Sequence, residues 1–92
     1  MKKTWTVSVK DVTPEDNAAA IFASLRAAAW GTYSAMRFAF KASSEGDLDE
    51  AQRTAWIRMA YGQVLEALPP ESPYRSVLQK FLDENIAEMI KG

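Results

Sequence analysis

The residues best suited to chemistry are basic side chains interleaved with aromatic ones in the first half of the chain. No acid occurs between Asn17 and Ser44. The cations in and just after this stretch are Arg26, Arg37, Lys41, Arg53 and Arg58, and the nearby rings belong to Trp30, Tyr33, Phe38 and Phe40. Basic side chains can hold phosphates while rings stack on bases, as in single-strand binders. The five cations are therefore a candidate nucleic-acid or nucleotide site.

Two observations weigh against that site. The formal net charge of the chain is −1, which gives no bulk attraction to a nucleic acid. No glycine-rich phosphate loop is present, and long basic side chains commonly extend around a core face with their charges in water. Nucleic-acid binding is therefore kept as the alternative function.

The acids Glu45, Asp47, Asp49 and Glu50 form a second cluster that could do chemistry. A Ca²⁺ loop needs oxygens at fixed alternate positions, closed by a distal Glu, and this spacing does not supply one. Acids at the start of a helix are also stabilised by the helix dipole. We interpret the run as a helix start, with Asp47 and Glu50 in a capping-box arrangement, and expect no metal.

The residue types needed for most catalysis are missing. The sequence contains neither histidine nor cysteine, so the commonest general base, the thiol nucleophile, and the imidazole and thiolate metal ligands are absent. No pair of acids is placed to face each other across a cleft. We therefore expect neither an enzyme nor a bound cofactor.

The elements that position these residues can be predicted from local patterns. The fold class is mainly α: an N-terminal β-strand or extended arm, then a three-helix bundle with a long Ala-rich first helix, all in one domain over residues 1–92. Residues 3–10 alternate apolar and polar, which is typical of a half-buried strand. Caps, prolines and apolar stripes predict helices over 14–42, 48–68 and 73–90.

The first helix carries small residues at every fourth position. They are Ala19, Ala23, Ala27, Gly31, Ala35 and Ala39. Side chains four apart form a continuous ridge, and a ridge of small residues lets another helix approach closely. Gly31 is either such a contact or a break in the helix, and its place in the ridge favours contact.

Aromatic residues point to recognition of another protein. Trp, Tyr and Arg dominate the energetics of interfaces, and three helices of this size cannot bury all ten aromatic residues. The candidate contact residues are Trp5, Val7, Trp30, Tyr33, Arg37, Phe38 and Lys41. A lone strand needs a partner edge, which a second copy in a homodimer or the sheet of another protein can supply, although an arm lying across the helices is the simpler alternative.

The expected function is stoichiometric binding of a protein partner by a small non-catalytic helical protein, acting as an adaptor or inhibitor. Small, acidic, cysteine-free domains without a catalytic site are a profile shared by adaptor subunits and by phage-encoded inhibitors of host or defence machinery. A structural or assembly subunit is a further alternative. With no apolar run near the ~20 residues that span a bilayer, we expect a cytoplasmic protein without membrane contact.

Overall fold

Three helices make up the described part of the chain. The computed structural model describes residues 13–91, which contain α1 (Pro14–Ser43), α2 (Glu50–Ala67) and α3 (Pro73–Met89) and no strand. The prediction of a mainly α chain with three helices is confirmed. The predicted strand or arm at residues 3–10 lies outside the described residues, and so do Trp5 and Val7.

Each helix begins at a capping side chain. Thr13 Oγ1 accepts a hydrogen bond from Asp16 N at 3.0 Å, directly before Pro14. Ser72 caps α3 in the same way, followed by Pro73. These side chains accept hydrogen bonds from amides that have no partner within the helix, and proline fits the first helical position because its missing N–H is not needed there.

The start of α2 differs from the prediction. The capping box is formed by Asp49 and Gln52, with Gln52 N donating to Asp49 Oδ1 at 2.7 Å and Asp49 N donating to Gln52 Oε1 at 2.9 Å. The predicted pair of Asp47 and Glu50 was therefore wrong. Asp47 is engaged by α1 instead, which leaves Asp49 as the nearest free acid before the helix.

The core lies where α2 packs between the other two helices. The fully buried residues are Ala29, Tyr33, Leu48, Ile57, Ala60, Tyr61, Leu78 and Leu82. Phe40 and Trp56 meet edge to face at 5.7 Å between ring centroids and close one side of it. Such pairs contribute attraction beyond the area that they bury.

The long first helix runs through Gly31 without a break, and its small-residue ridge does not face the core. All six ridge residues are exposed, and a Cβ built on Gly31 would meet nothing within 4 Å. The core stripe of α1 instead passes through Phe22, Leu25, Ala29 and Tyr33. Residues four apart advance by about 40° around a helix, so the ridge winds across the outward face of α1 while the stripe stays inward.

Candidate interaction surface

The basic residues are placed by contacts within the chain. Arg37 forms a bidentate ion pair with Asp47 in the α1–α2 loop. Its Nη2 donates to Oδ2 at 2.5 Å and its Nε donates to Oδ1 at 2.9 Å. Lys41 Nζ lies 4.0 Å from the same carboxylate. The hydrogen bond from Arg37 is the main cause that holds the pKa of Asp47 well below its usual range, and the same bond raises the pKa of Arg37.

Two more cations are also engaged. Arg53 donates from Nε to the carbonyl of Leu48 at 3.0 Å and from Nη1 to the carbonyl of Ile90 at 2.6 Å, so it ties the loop to the end of α3. Arg58 lies across from Asp83, with Nη1 and Oδ1 3.6 Å apart. Both side chains therefore connect α2 to α3.

Arg26 lies flat against the aromatic residues of α1 and α3. Its guanidinium carbon is 4.1 Å from the ring centroid of Phe81 and 5.8 Å from that of Phe22. A cation over a ring face is attracted by the ring quadrupole. Thus each of the five candidate cations has an intrachain partner: Arg37 and Lys41 share Asp47, whereas the other three contact different groups.

A groove runs between α1 and α3 beside Arg26. Its volume is about 590 Å³. Small residues of α1, larger residues of α3 and one ring of α2 line it: Ala23, Arg26, Ala27, Trp30, Tyr61, Phe81, Asn85, Glu88 and Met89. Burial raises the pKa of Tyr61, which lies on the floor. A mostly apolar concavity with a few polar groups at its edge is the usual form of a binding site.

The outward face of α1 carries the most exposed large apolar side chain of residues 13–91. Phe38 is 74% exposed, and Trp30 is 38% exposed. Ser34 lies between them in the same row of the helix, and Gly31 and Ala35 form the neighbouring row of small, exposed residues. We call the set of Trp30, Gly31, Ala35 and Phe38 the outer face of α1.

The remaining predicted contact residues differ in their positions. Tyr33 is only 1% exposed, and its ring packs against Trp30 with 5.1 Å between centroids. It supports Trp30 from below and has no surface of its own. Arg37 is held by Asp47, whereas the side chain of Lys41 remains 55% exposed at the end of the outer face.

No family model, curated protein or solved structure matches this chain. The function is therefore inferred from its surfaces alone.

Two acids of the acidic cluster accept hydrogen bonds from backbone amides. Asp47 Oδ1 accepts from Leu48 N at 2.7 Å, and Asp49 caps α2. Across residues 13–91 no group of three or more metal-ligating side chains comes together.

None of the three helices has the length and apolar character needed to cross a bilayer.

The groove residues on α3 were not among the sequence candidates. Asn85, Glu88 and Met89 become part of a site only because α3 packs beside α1. One local signal was available. Ala23, Arg26, Ala27 and Trp30 are spaced three and four apart, so two small and two long side chains share one side of α1. Such an alternation of small and long side chains can form the wall of a groove.

Proposed function

We propose that this chain is a small non-catalytic helical protein that binds another protein stoichiometrically, as an adaptor or an inhibitor, through the outer face of α1. The observation that supports this most is Phe38, a large ring 74% exposed on a rigid helix. Fully burying a side chain of this size contributes roughly 1.5–3 kcal/mol. An exposed aromatic residue beside other apolar surface is typical of an interface.

The shape of the outer face favours a helix as the docking element. Gly31 and Ala35 form a strip of small residues beside the row that carries Trp30 and Phe38, and small residues let two helix backbones come close. A partner helix with apolar residues at helical spacing can lie on that strip and contact both rings. Lys41, at the end of the face, favours an acid on the partner nearby.

Substitutions at one exposed residue test this proposal. Phe38→Glu places a charge on the outer face, whereas Val77→Glu changes a 47% exposed apolar residue on α3 and is the matched control. The binding partner would be recovered from an extract, purified and titrated with each variant. We expect Phe38→Glu to abolish one-to-one binding while Val77→Glu retains it. Equal affinity for both variants would reject the outer face as the binding site.

The partner can also be a second copy of this chain. The exposed ridge supports this, since small residues on two copies can face each other. Light scattering after size exclusion measures the mass in solution. A dimer that dissociates on Phe38→Glu but persists in Val77→Glu would make the outer face a self-association surface, and a defined higher oligomer would favour an assembly subunit.

Nucleic-acid binding remains the alternative of another class. Replacing Lys41 and Arg37 with Glu would remove salt-sensitive affinity for a labelled single strand if the alternative holds. The intrachain engagement of the five candidate cations supports the protein-binding proposal instead.

A further inference from the structure

The groove between α1 and α3 has the size and form of a site for a small organic molecule. Its volume of about 590 Å³ lies within the roughly 300–1,000 Å³ that is usual for ligand sites, which often form between the helices of a bundle. Along α1 its lining runs from Ala23 to Trp30, about 10 Å at the helical rise. That length matches a molecule of one or two rings better than a partner helix, which needs several turns to dock.

Arg26 is the one cation among the residues that line the groove. Its guanidinium carbon lies 4.1 Å from the ring centroid of Phe81, and it forms no ion pair with a carboxylate of residues 13–91. Stacking on a ring uses a face of the guanidinium, whereas its N–H donors point outward in the plane of the group. The groove therefore holds a positioned cation that no acid of the described residues neutralises.

Tyr61 supplies a second donor beside Arg26. Burial raises the pKa of Tyr61, and the nearby charge of Arg26 acts against that rise, so the two groups lie close together. The phenol is protonated at neutral pH and can donate a hydrogen bond. A guanidinium and a hydroxyl side by side match one carboxylate, whereas the phosphates of a nucleotide would need further cations in the groove.

Glu88 does not cancel the charge of Arg26. It stands seven residues after Phe81 on α3, which is about 10 Å along the helix axis. Its side chain is 74% exposed, and its Oε1 lies 3.2 Å from Lys91 Nζ. The uncompensated charge of the groove is therefore the positive one at Arg26, and it complements an anionic head group.

The rest of the groove matches a flat apolar body. Ala23 and Ala27 give α1 a low wall, and Met89 lines the side formed by α3. Trp30 also lines the groove, and its ring is supported by that of Tyr33 at 5.1 Å between centroids. Aromatic rings attract one another beyond the area they bury, and a thioether makes favourable contacts with them. A ring system therefore fits this part of the groove.

We propose that the α1–α3 groove binds a small aromatic carboxylate. The carboxylate accepts hydrogen bonds from Arg26 and Tyr61, and the ring system lies between Ala27 and Met89 and contacts Trp30. Trp30 is shared with the outer face of α1, so the ligand site borders the surface proposed to bind a protein. The inference does not rest on that proposal, and its test needs no protein partner.

Titration of the full-length chain with defined probes tests the class of ligand. The probes are 2-naphthoate and indole-3-acetate, and 2-naphthamide is the uncharged match of the first. Calorimetry should show one-to-one binding of both acids with a Kd below about 1 mM, and at least tenfold weaker binding of the amide. A lack of saturable binding by both acids would overturn the proposal, and so would equal affinity for the acid and its amide.

Substitution of the cation tests the position of the carboxylate. Arg26→Gln removes the charge in the groove, whereas Lys80→Gln removes an exposed charge on α3 that does not line it. We expect 2-naphthoate to bind about tenfold more weakly to Arg26→Gln and with unchanged affinity to Lys80→Gln. Equal affinities of the two variants would overturn the proposal.

Filling the groove tests where the ring system lies. Ala27→Leu places a larger side chain in the lining, and Ala28→Leu makes the same change at the next exposed alanine, outside the lining. We expect the first variant to lose binding of 2-naphthoate and the second to retain it, with both folded by circular dichroism. A folded Ala27→Leu variant that binds normally would overturn the proposal. If that variant does not fold, the comparisons of Arg26→Gln with Lys80→Gln and of acid with amide decide the question.

Discussion

Arg37 and Asp47 form a two-point ion pair that joins α1 to the loop leading into α2, with the shorter contact 2.5 Å from Nη2 to Oδ2. Asp47 also accepts a hydrogen bond from the amide of Leu48, whose side chain is buried. The carboxylate therefore fixes the point at which the loop enters the core. A planar guanidinium is suited to this role because its donors match both carboxylate oxygens.

Protonating Asp47 should weaken the fold. Its pKa is held well below the ordinary value of 3.8, mainly by the hydrogen bond from Arg37. A carboxyl whose pKa is lowered on folding contributes stability that is fully present above its unfolded pKa and is lost as pH falls toward its folded pKa. We expect Asp47→Asn to lower Tm at pH 7 and to leave a smaller loss between pH 5 and pH 2 than the natural chain shows.

The control for this experiment is Glu45→Gln, which removes an exposed acid from the same loop. Thermal unfolding of the three proteins across that pH range gives the comparison. The same pH dependence in Asp47→Asn as in the natural chain would contradict the assignment.

Arg53→Lys should loosen the end of α3. A lysine can reach one carbonyl but cannot bridge those of Leu48 and Ile90 together, so we expect a loss of about 1–2 kcal/mol in the free energy of unfolding. Hydrogen exchange should quicken at the last turn of α3. Arg58→Lys keeps a single exposed ion pair and serves as the control, with little change expected. Equal effects of the two substitutions would argue against a bridge.

Tyr33→Phe should be tolerated. The hydroxyl of Tyr33 is buried and makes no hydrogen bond of good geometry within the described part of the chain, although it interacts electrostatically with Arg37. Removing an unsatisfied buried polar group can be neutral or stabilising, and we expect a gain of up to about 1 kcal/mol in chemical denaturation. Tyr33→Ala, which removes the ring beneath Trp30, should cost about 3–5 kcal/mol. A loss above 1 kcal/mol in Tyr33→Phe would show that the hydroxyl is bonded.

Gly31→Ala should separate stability from binding. An added Cβ at Gly31 meets no atom within 4 Å, so the exchange should raise the free energy of unfolding by about 1 kcal/mol. If a partner helix packs closely on the outer face, the same methyl group should weaken the complex. Gly62→Ala, at a glycine of α2 that is equally clear of neighbours, should stabilise without changing affinity. A variant of Gly31 that is stabilised and binds normally would place the partner elsewhere.

The sequence predicts what is decided locally. Thr13, Pro14, Ser72 and Pro73 mark helix starts by their own backbone preferences and side-chain hydrogen bonds, and the structure has helices there. The choice between Asp47 and Asp49 as the cap of α2 is not local. Both are acids near the start, and only the distant Arg37 decides which one is left for the helix.

The position of the ridge and the groove depends on packing that periodicity alone does not give. Small residues at every fourth position indicate that another helix can approach closely, but not whether it belongs to the same bundle. In the structure, the side of α1 that faces the core passes through Ala29 and Tyr33 instead. Likewise, Met89 and Ala27 are 62 residues apart and meet only when α3 lies beside α1. Aromatic content indicated that some rings would stay uncovered, with Trp30 or Phe38 among them, without showing that Tyr33 would be buried.

The winding of the small-residue ridge around α1 limits how a partner helix can lie. Ridges formed by residues four apart on two helices interdigitate at a crossing angle of about −50°, so the partner would pass over α1 obliquely. Two helices crossed at that angle diverge within a few turns on either side, and their contact would be concentrated near Gly31. Such a footprint is short, and it would give a complex that exchanges readily unless the partner adds contacts beyond α1.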